Sequence, residues 1–361
     1  MIQRLFIDPE VNPEESERIA TRLGLEGQKA TKEELVEQAK SLSLEERFRW
    51  GKSTLFLTRQ KGRFLKKCPG STGVVCCNYF TINTISGCPF DCSYCILQNY
   101  IENNPFITAF VNREDMAEEI EAHLARYGFL RVGTGELADS LALDGILEET
   151  TFFLEMITKR GWHDRITIEF KTKSEEIGTL LKAHETYPEV DVVVGFSVNI
   201  PRFITTDEHK TASLEQRIKA MKTLQQAGIS IAIHFDPIVM IEDFLPHYVT
   251  LATDLFSILD QRLIRWISLG GYRHTVSLAP TIERRFPSSV LLAGEMFPSD
   301  ADHKFRYLHP LRRHFYREMV QTIERVFPGA PLYLCMEKSF LWEEIGLSQE
   351  KCNECFYFAP R

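Results

Sequence analysis

From Tyr79 onward the chain alternates between apolar, β-branched runs and segments of helical period. The runs fall at Tyr79–Ile85, Leu130–Gly133, Ile166–Lys171, Val190–Val198, Ile229–Phe235 and Ile264–Leu269. Between them, apolar positions recur at helical spacing over Arg113–Arg126, Ile146–Lys159, Leu214–Ala227 and His247–Leu259. Six strands alternating with helices predict parallel βα units rather than a sandwich or a bundle. Their spacing, roughly 25 to 50 residues, accommodates such repeats with some long loops. A doubly wound sheet and a partial (β/α) barrel both satisfy the pattern.

The flanks read differently. Ahead of the first run, Glu14–Leu23 and Lys32–Leu42 have helical period, the second opened by Thr31 as N-cap with Glu34 three residues on. After Ser299 come a helical stretch, Leu311–Phe327, a short apolar run, Leu332–Cys335, and an irregular cysteine-containing tail. These shifts divide the chain into a helical and basic extension (1–75), a barrel (76–275) and a C-terminal extension packed on it (276–361).

Composition narrows the setting. At 361 residues, 44% apolar and 25% charged, the chain has the make-up of a soluble globular protein, with no apolar run long enough to span a bilayer. The opening Met-Ile-Gln-Arg-Leu-Phe lacks the pattern of a targeting peptide, so a cytoplasmic protein with no membrane partner is expected. A net charge of −8 argues against a surface that is basic all over. Arg47–Lys67 nevertheless carries eight basic residues and no acid, interleaved with Phe48, Trp50, Phe56 and Phe64. Lys304–Arg317 carries five, beside Phe305, Tyr307, Phe315 and Tyr316. Basic side chains track phosphates and aromatic faces stack on bases, so both segments are candidates for nucleic-acid contact. For the second, an amphipathic helix with its aromatics packed inward is the favoured alternative.

The chemistry concentrates in Ser86-Gly-Cys-Pro-Phe-Asp-Cys-Ser-Tyr-Cys95, where Cys88, Cys92 and Cys95 are spaced CX3CX2C. Three thiolates in one tight loop can hold three irons of a [4Fe–4S] cluster and leave the fourth without a protein ligand. An open coordination position is what a catalytic metal site needs. A zinc knuckle would more typically show two CX2C pairs, and a disulfide is disfavoured in a reducing compartment. The loop follows the first strand, at the end where βα folds place their sites.

This spacing resembles the radical S-adenosylmethionine (SAM) superfamily. The resemblance implies a (β/α)6 partial TIM barrel, with SAM bound to the open iron and cleaved by one electron to a 5′-deoxyadenosyl radical. The electron donor it implies is of the flavodoxin or ferredoxin type. Gly133-Thr-Gly-Glu136, after the second strand, is similar to the superfamily's GGE motif and makes Glu136 the candidate for the methionyl amino group. Lys173, closing the third strand, suits the methionyl carboxylate; Ser197 and Asn199, closing the fourth, suit carboxylate or ribose hydroxyls. Tyr272 and Arg273, after the sixth, are candidates to face substrate. His234 reads as a hydrogen-bonded core residue.

Longer segments resemble the spore photoproduct lyases. Gly87-Cys-Pro-Phe-Asp-Cys-Ser-Tyr-Cys-Ile-Leu-Gln98 is similar to their cluster loop, Phe196-Ser-Val-Asn199 to their Phe-Ser-Ile-Asn, and Glu208–Arg217 to the segment just downstream. The resemblance covers Lys52 to about Arg273 and implies a damaged-DNA substrate, a thymine dimer reversed by hydrogen abstraction at C6 and hydrogen return from a cysteine. Here the chain departs from the family. At the end of the second strand, where the family carries that cysteine, it has Gly133-Thr-Gly; of two tyrosines flanking the third cluster cysteine it keeps Tyr94 and has Ile96 in place of the other. Tyr94 is therefore a candidate catalytic residue, and Cys335 a candidate relocated hydrogen donor.

Cys352-Asn-Glu-Cys355 is a CX2C pair. With Cys335, and Cys68 or Cys76, it forms a candidate auxiliary site for zinc or a second iron–sulfur cluster; scattered buried thiols are the alternative. Three functional readings follow: a radical SAM lyase acting on DNA, a radical SAM enzyme acting on a small molecule, peptide or RNA, and a noncatalytic iron–sulfur protein. The first is the leading reading on the resemblance; the acidic balance and the missing cysteine bring the second nearly level with it.

Overall fold

The structure, a computed structural model, describes residues 2–70, 73–75, 79–299 and 302–347. All six expected strands form: β1 (Phe80–Ile82), β2 (Leu130–Gly133), β3 (Ile166–Thr172), β4 (Asp191–Ser197), β5 (Ser230–Ile238) and β6 (Ile264–Gly271). The run ahead of Cys335 supplies a seventh, β7 (Leu332–Leu334). The seven are parallel neighbours in sequence order, with Leu65–Lys67 antiparallel to β1 at one edge. The sheet curls without closing, so the fold is the partial (β/α) barrel.

Helices cover the outer face. Leu154 and Ile157 of Glu149–Lys159, Met221 and Leu224 of Leu214–Gln226, and Leu255 of Leu245–Ile258 lie buried in one core with the outward residues of the strands. Leu214–Gln226 opens with a capping box, Ser213 and Gln216 each satisfying the other's backbone N–H. The same device opens Lys32–Lys40 at Thr31 and Glu34, as its sequence predicts.

The N-terminal extension holds more than helices. Gly27–Lys29, Arg4–Ile7, Thr54–Thr58, Ile107–Phe110 and Ile85–Ser86 form, in that order, a second sheet, parallel except for its last strand. Alternation sends Leu5, Ile7, Leu55 and Leu57 to one face and Phe6 and Phe56 to the other, and both faces are buried. With apolar residues on both faces and only two to five positions per strand, the alternation that betrays a half-exposed strand is missing.

Two further expectations need correction. The run Tyr79–Ile85 is not one strand: after β1 the chain leaves the barrel at Asn83–Thr84, and Ile85–Ser86 pairs in the second sheet. The aromatic residues of Arg47–Lys67 are not stacking platforms, because Phe48, Trp50, Phe56 and Phe64 are all core. In the other basic segment, the helix His309–Val326 buries Phe315, Tyr316 and Met319, as the amphipathic reading requires.

The barrel lumen is polar. Inward-facing Glu169 of β3 accepts from His234 Nε2 of β5 at 2.6 Å and from Trp266 Nε1 of β6 at 3.1 Å, and His234 Nδ1 lies 2.6 Å from Ser268 Oγ. Burial works against this carboxylate's charge, yet Lys171, His234 and Arg131 together hold it below the ordinary carboxylate range. A carboxylate with a depressed folded-state pKa stabilises the fold at neutral pH; that contribution fades as pH falls below the ordinary carboxylate value and is gone at the lowered one. Gly195 on β4 makes the room: a Cβ there would lie 2.4 Å from Glu169 Oε1 and 2.7 Å from His234 Nε2. Gly195→Ala should therefore cost about 3 kcal/mol or more by forcing apart a buried charged hydrogen bond. Denaturant unfolding checks this; an unchanged midpoint would contradict it.

Candidate active site

The cluster loop is gripped from three sides. Asp91–Cys92 pairs antiparallel with Glu208–His209, the segment that follows the helix Pro201–Asp207. From the N-terminal unit, Lys52 Nζ donates to the carbonyl oxygens of Cys88 (3.3 Å) and Phe90 and lies 3.4 Å from Asp91. From the helix Ala279–Arg285, the buried Arg285 guanidinium reaches both oxygens of Asp91, at 3.3 and 3.0 Å, while lying 3.6 Å above the Phe48 ring. Burial alone would raise the Asp91 carboxyl, but Lys52 and Arg285 outweigh it and hold it below its usual value.

Behind the loop sits a buried ion pair. Arg217 Nη2 and Glu208 Oε2 are 2.6 Å apart, with side chains 0% and 1% exposed. Glu208 also accepts from the Tyr94 hydroxyl at 2.6 Å, and Arg217 donates to the Ser197 carbonyl at 2.9 Å. Tyr94 stacks on Phe203, and burial, with the Glu208 charge beside it, pushes its phenol well above the ordinary tyrosine range.

These elements surround a cavity of about 390 Å³ at the C-terminal ends of the strands. Cys88, Cys92, Cys95 and Tyr94 line its loop side; Glu136, Lys173 and Ser197 line its barrel side. Glu136 Oε2 accepts from Thr81 Oγ1 and Asn83 Nδ2, both at 2.7 Å, and Lys173 Nζ donates to Ser197 Oγ at 3.0 Å. A fixed carboxylate and a fixed ammonium facing one cavity suit the two ends of an amino acid.

Three candidates are not brought there: Asn199, Cys335 and Tyr272. Asn199 is buried, its amide donating to the Pro237 carbonyl at 2.8 Å and accepting from the Tyr248 hydroxyl at 2.7 Å, so it shapes the loop after β4. Cys335 follows β7, its N–H donating to the Leu269 carbonyl at 2.8 Å, and it does not line the cavity. Arg273 does line it, whereas Tyr272 is buried. Cys76, Cys352 and Cys355 lie outside the described residues.

Sequence reasoning missed several residues. Asp139 lines the cavity and accepts from the backbone N–H of Lys173 at 2.6 Å and from Thr172 Oγ1 at 2.8 Å; burial still raises its carboxyl. Lys171 and Asp236 line it too, as does His234, beyond its expected role as a bonded core residue. Alternation in Glu169-Phe-Lys-Thr-Lys173 puts residues 169, 171 and 173 on one face of β3, a signal that was readable. Lys52 and Arg285, far from the loop in sequence, left none.

The thiols fit an iron–sulfur cluster. Burial, with Asp139 nearby, pushes Cys88 up to about 12, while Lys52 opposes the shift; burial raises Cys92 well above the usual thiol range. Buried thiols become thiolates when a metal supplies the compensating charge. Among the described residues no three His, Cys, Asp or Glu side chains converge as closely as a single ion requires. A four-iron cube makes a different demand, since each thiolate sits on its own iron.

At position 133 a Cβ would fall 1.5 Å from the Tyr79 hydroxyl oxygen. The phenol occupies the space a cysteine side chain would need, so the glycine and Tyr79 belong together.

Comparison with known proteins agrees with this architecture. A family profile described as Spore photoproduct lyase matches residues 9–334. The spore photoproduct lyase of Clostridium acetobutylicum is 24% identical over 247 residues, 67% of this chain and 68% of that protein. That of Bacillus subtilis (strain 168) is 24% identical over 278 residues, 76% and 78% of the two chains. A spore photoproduct lyase mutant solved with dinucleoside spore photoproduct superposes with a TM-score of 0.79 at 22% identity, covering 92% of this chain and 98% of that one. A second mutant, with bound AdoMet and the same dinucleoside, gives 0.76 at 21% identity and the same coverage. At these identities the superpositions establish the shared fold.

Arg217→Met would leave Glu208 buried without its cation, at a cost of about 3–5 kcal/mol. Equilibrium unfolding measures this, and a loss below about 1 kcal/mol would mean that the pair does not organise the loop.

Proposed function

This chain belongs to the spore photoproduct lyase family, and on that premise we propose that it binds SAM across the cavity between Cys88, Cys92, Cys95 and the ends of β2 to β4, cleaves it reductively, and acts on a pyrimidine-dimer lesion in DNA. The convergence of the three thiols, Glu136, Lys173 and Ser197 on one cavity carries the reading. A reduced [4Fe–4S] cluster held by the three cysteines would supply the electron. Glu136, fixed by Thr81 and Asn83, takes the methionyl ammonium; Lys173 takes the carboxylate, with Ser197 orienting it. Tyr94, pinned by Glu208, walls the space between cofactor and substrate.

For a DNA substrate, the lesion leaves the stack and enters the barrel mouth, which damaged bases do at lower cost. Exposed Arg63, Lys66 and Lys67, along the edge strand Leu65–Lys67, supply backbone contacts. A flavodoxin- or ferredoxin-type protein supplies the electron. A second reading, a substrate other than DNA, is favoured by the filled space at Gly133 and by the charged side chains Lys171, Asp236 and Arg273 in the cavity wall.

Anaerobically reconstituted protein, incubated with SAM, a one-electron reductant and dimer-containing DNA, is expected to form 5′-deoxyadenosine and repaired thymine. Cys92→Ala should abolish both. Formation of 5′-deoxyadenosine without thymine repair would reject DNA and leave the cofactor chemistry standing; neither product would reject both. The same preparation tests the auxiliary site at Cys335, Cys352 and Cys355: about four irons per chain without zinc would rule it out. If Cys335 instead returns the hydrogen, Cys335→Ala should keep 5′-deoxyadenosine formation and lose product, and an unchanged product yield would reject that role.

A further inference from the structure

Glu136, Lys173 and Ser197 stand at the ends of β2, β3 and β4 and account for the methionyl end of the cofactor. The ends of β5 and β6 bring a different pair to the same cavity. Asp236 lies in β5 and Arg273 follows β6; both line the cavity, half-buried, with Arg273 Nη1 3.8 Å from Asp236 Oδ1. A Cβ at Gly270 would fall 2.8 Å from the Asp236 carboxyl carbon and 2.9 and 3.0 Å from its oxygens, so the bare backbone of β6 leaves that carboxylate its place. Gly271 donates its N–H to the Tyr316 hydroxyl at 2.6 Å and accepts from Arg273 Nη1 at 3.2 Å, which anchors the guanidinium at one nitrogen.

At 3.8 Å the two are paired in charge without being hydrogen-bonded. Among the described residues Asp236 accepts no hydrogen bond and Arg273 donates only to Gly271. The neighbouring wall carboxylate, Asp139, is by contrast spent: it accepts from the backbone N–H groups of Leu141, Ala142 and Lys173 and from the Thr172 hydroxyl. A carboxylate offers only acceptors and a guanidinium only donors. Side by side, Asp236 and Arg273 present an acceptor next to a donor with no net charge between them. Their complement is an uncharged edge that carries an N–H next to a C=O. A ligand without that edge would strip water from both groups and return no hydrogen bond.

We propose that Asp236 and Arg273 read the imide edge of a pyrimidine in the substrate, the carboxylate accepting from the ring N3–H and the guanidinium donating to an adjacent ring carbonyl. The inference rests on the reading that Glu136 and Lys173 hold SAM, and it names the residues that select the substrate of that same site. The ring belongs to a lesion in DNA or to a free nucleoside; its imide edge is the same in both.

Calorimetric titration of the cluster-loaded, SAM-saturated protein tests this with dinucleoside spore photoproduct, thymidine and the N3-methylated form of each. At least one unmethylated ligand should bind wild type, and N3-methylation should weaken it about tenfold or more. Asp236→Ala should weaken the unmethylated ligand by a similar factor without weakening the methylated one further, since both changes remove the same hydrogen bond. Arg273→Met should weaken the unmethylated ligand about tenfold or more. The methylated ligands test the edge on wild type alone, independently of how either variant folds. The proposal is overturned if no pyrimidine binds wild type, if methylation leaves affinity unchanged, if either variant binds as wild type does, or if the losses from Asp236→Ala and from methylation add. It is overturned too if Asp236→Ala weakens SAM as much as the pyrimidine, because the pair would then hold the cofactor. The readings fail separately. Thymidine binding without the dinucleoside would reject the DNA lesion and keep the edge. A dinucleoside that binds Asp236→Ala as tightly as wild type would reject the edge and keep the lesion. Wild-type protein that does not bind SAM would reject the cofactor assignment, and the inference with it.

Discussion

Arg217 and Glu208 face each other with almost no exposed surface, and the parts of the cavity are positioned through them. Two charges removed from water must find nearly all their hydrogen bonds inside the protein. Arg217 finds them on Glu208, on the Thr211 hydroxyl, and on the carbonyls of Ala212 and Ser197. Glu208 adds the Tyr94 hydroxyl, and its backbone pairs with Cys92. One desolvated pair thus ties the cluster loop to the end of β4, where Ser197 orients Lys173. Replacing either partner would remove the contacts that tie the two sides of the cavity together.

A second constraint acts beneath the cavity. The lumen of this partial barrel is filled with charge, not with the branched aliphatic layers common in closed barrels. Glu169, His234, Lys171 and Arg131 share it, with Arg131 lying 4.0 Å from the Trp266 ring centre. Glu169 is fixed there by hydrogen bonds from His234 and Trp266, and moving a buried charge of this kind off its partners is costly. Gly195 and Gly133 carry no side chain, since the volume beside each already belongs to a polar group of a neighbouring strand.

The sequence disclosed the parts of this arrangement that are local. Six strands, the cysteine spacing, and the placement of Glu136, Lys173 and Ser197 at strand ends around one cavity were legible, because strand period and position at a strand's end are properties of a few consecutive residues. Asn199 was misread for the same reason: its place two residues past Ser197 suggested a ligand contact, but the turn after β4 directs its amide to Pro237 and Tyr248. Lys52, Arg285 and Arg217 act on residues far along the chain or through tertiary burial. The aromatic residues between Arg47 and Lys67 looked like a binding surface because composition does not tell an inward face from an outward one.

Ile85–Ser86 lies between β1 and Cys88, and it belongs to the other sheet. The backbone therefore crosses from barrel to N-terminal unit immediately before it supplies the first thiol. The unit that begins at residue 4 is consequently part of the frame of the cysteine loop. The two sheets form one structural module: the barrel strands alone would leave Ile107–Phe110 without Thr54–Thr58, and so would unanchor the strand on which Ile85–Ser86 pairs. Variation among descendants of such a module is expected in the barrel's lumen and mouth, while the seam between its two sheets stays closed to insertion.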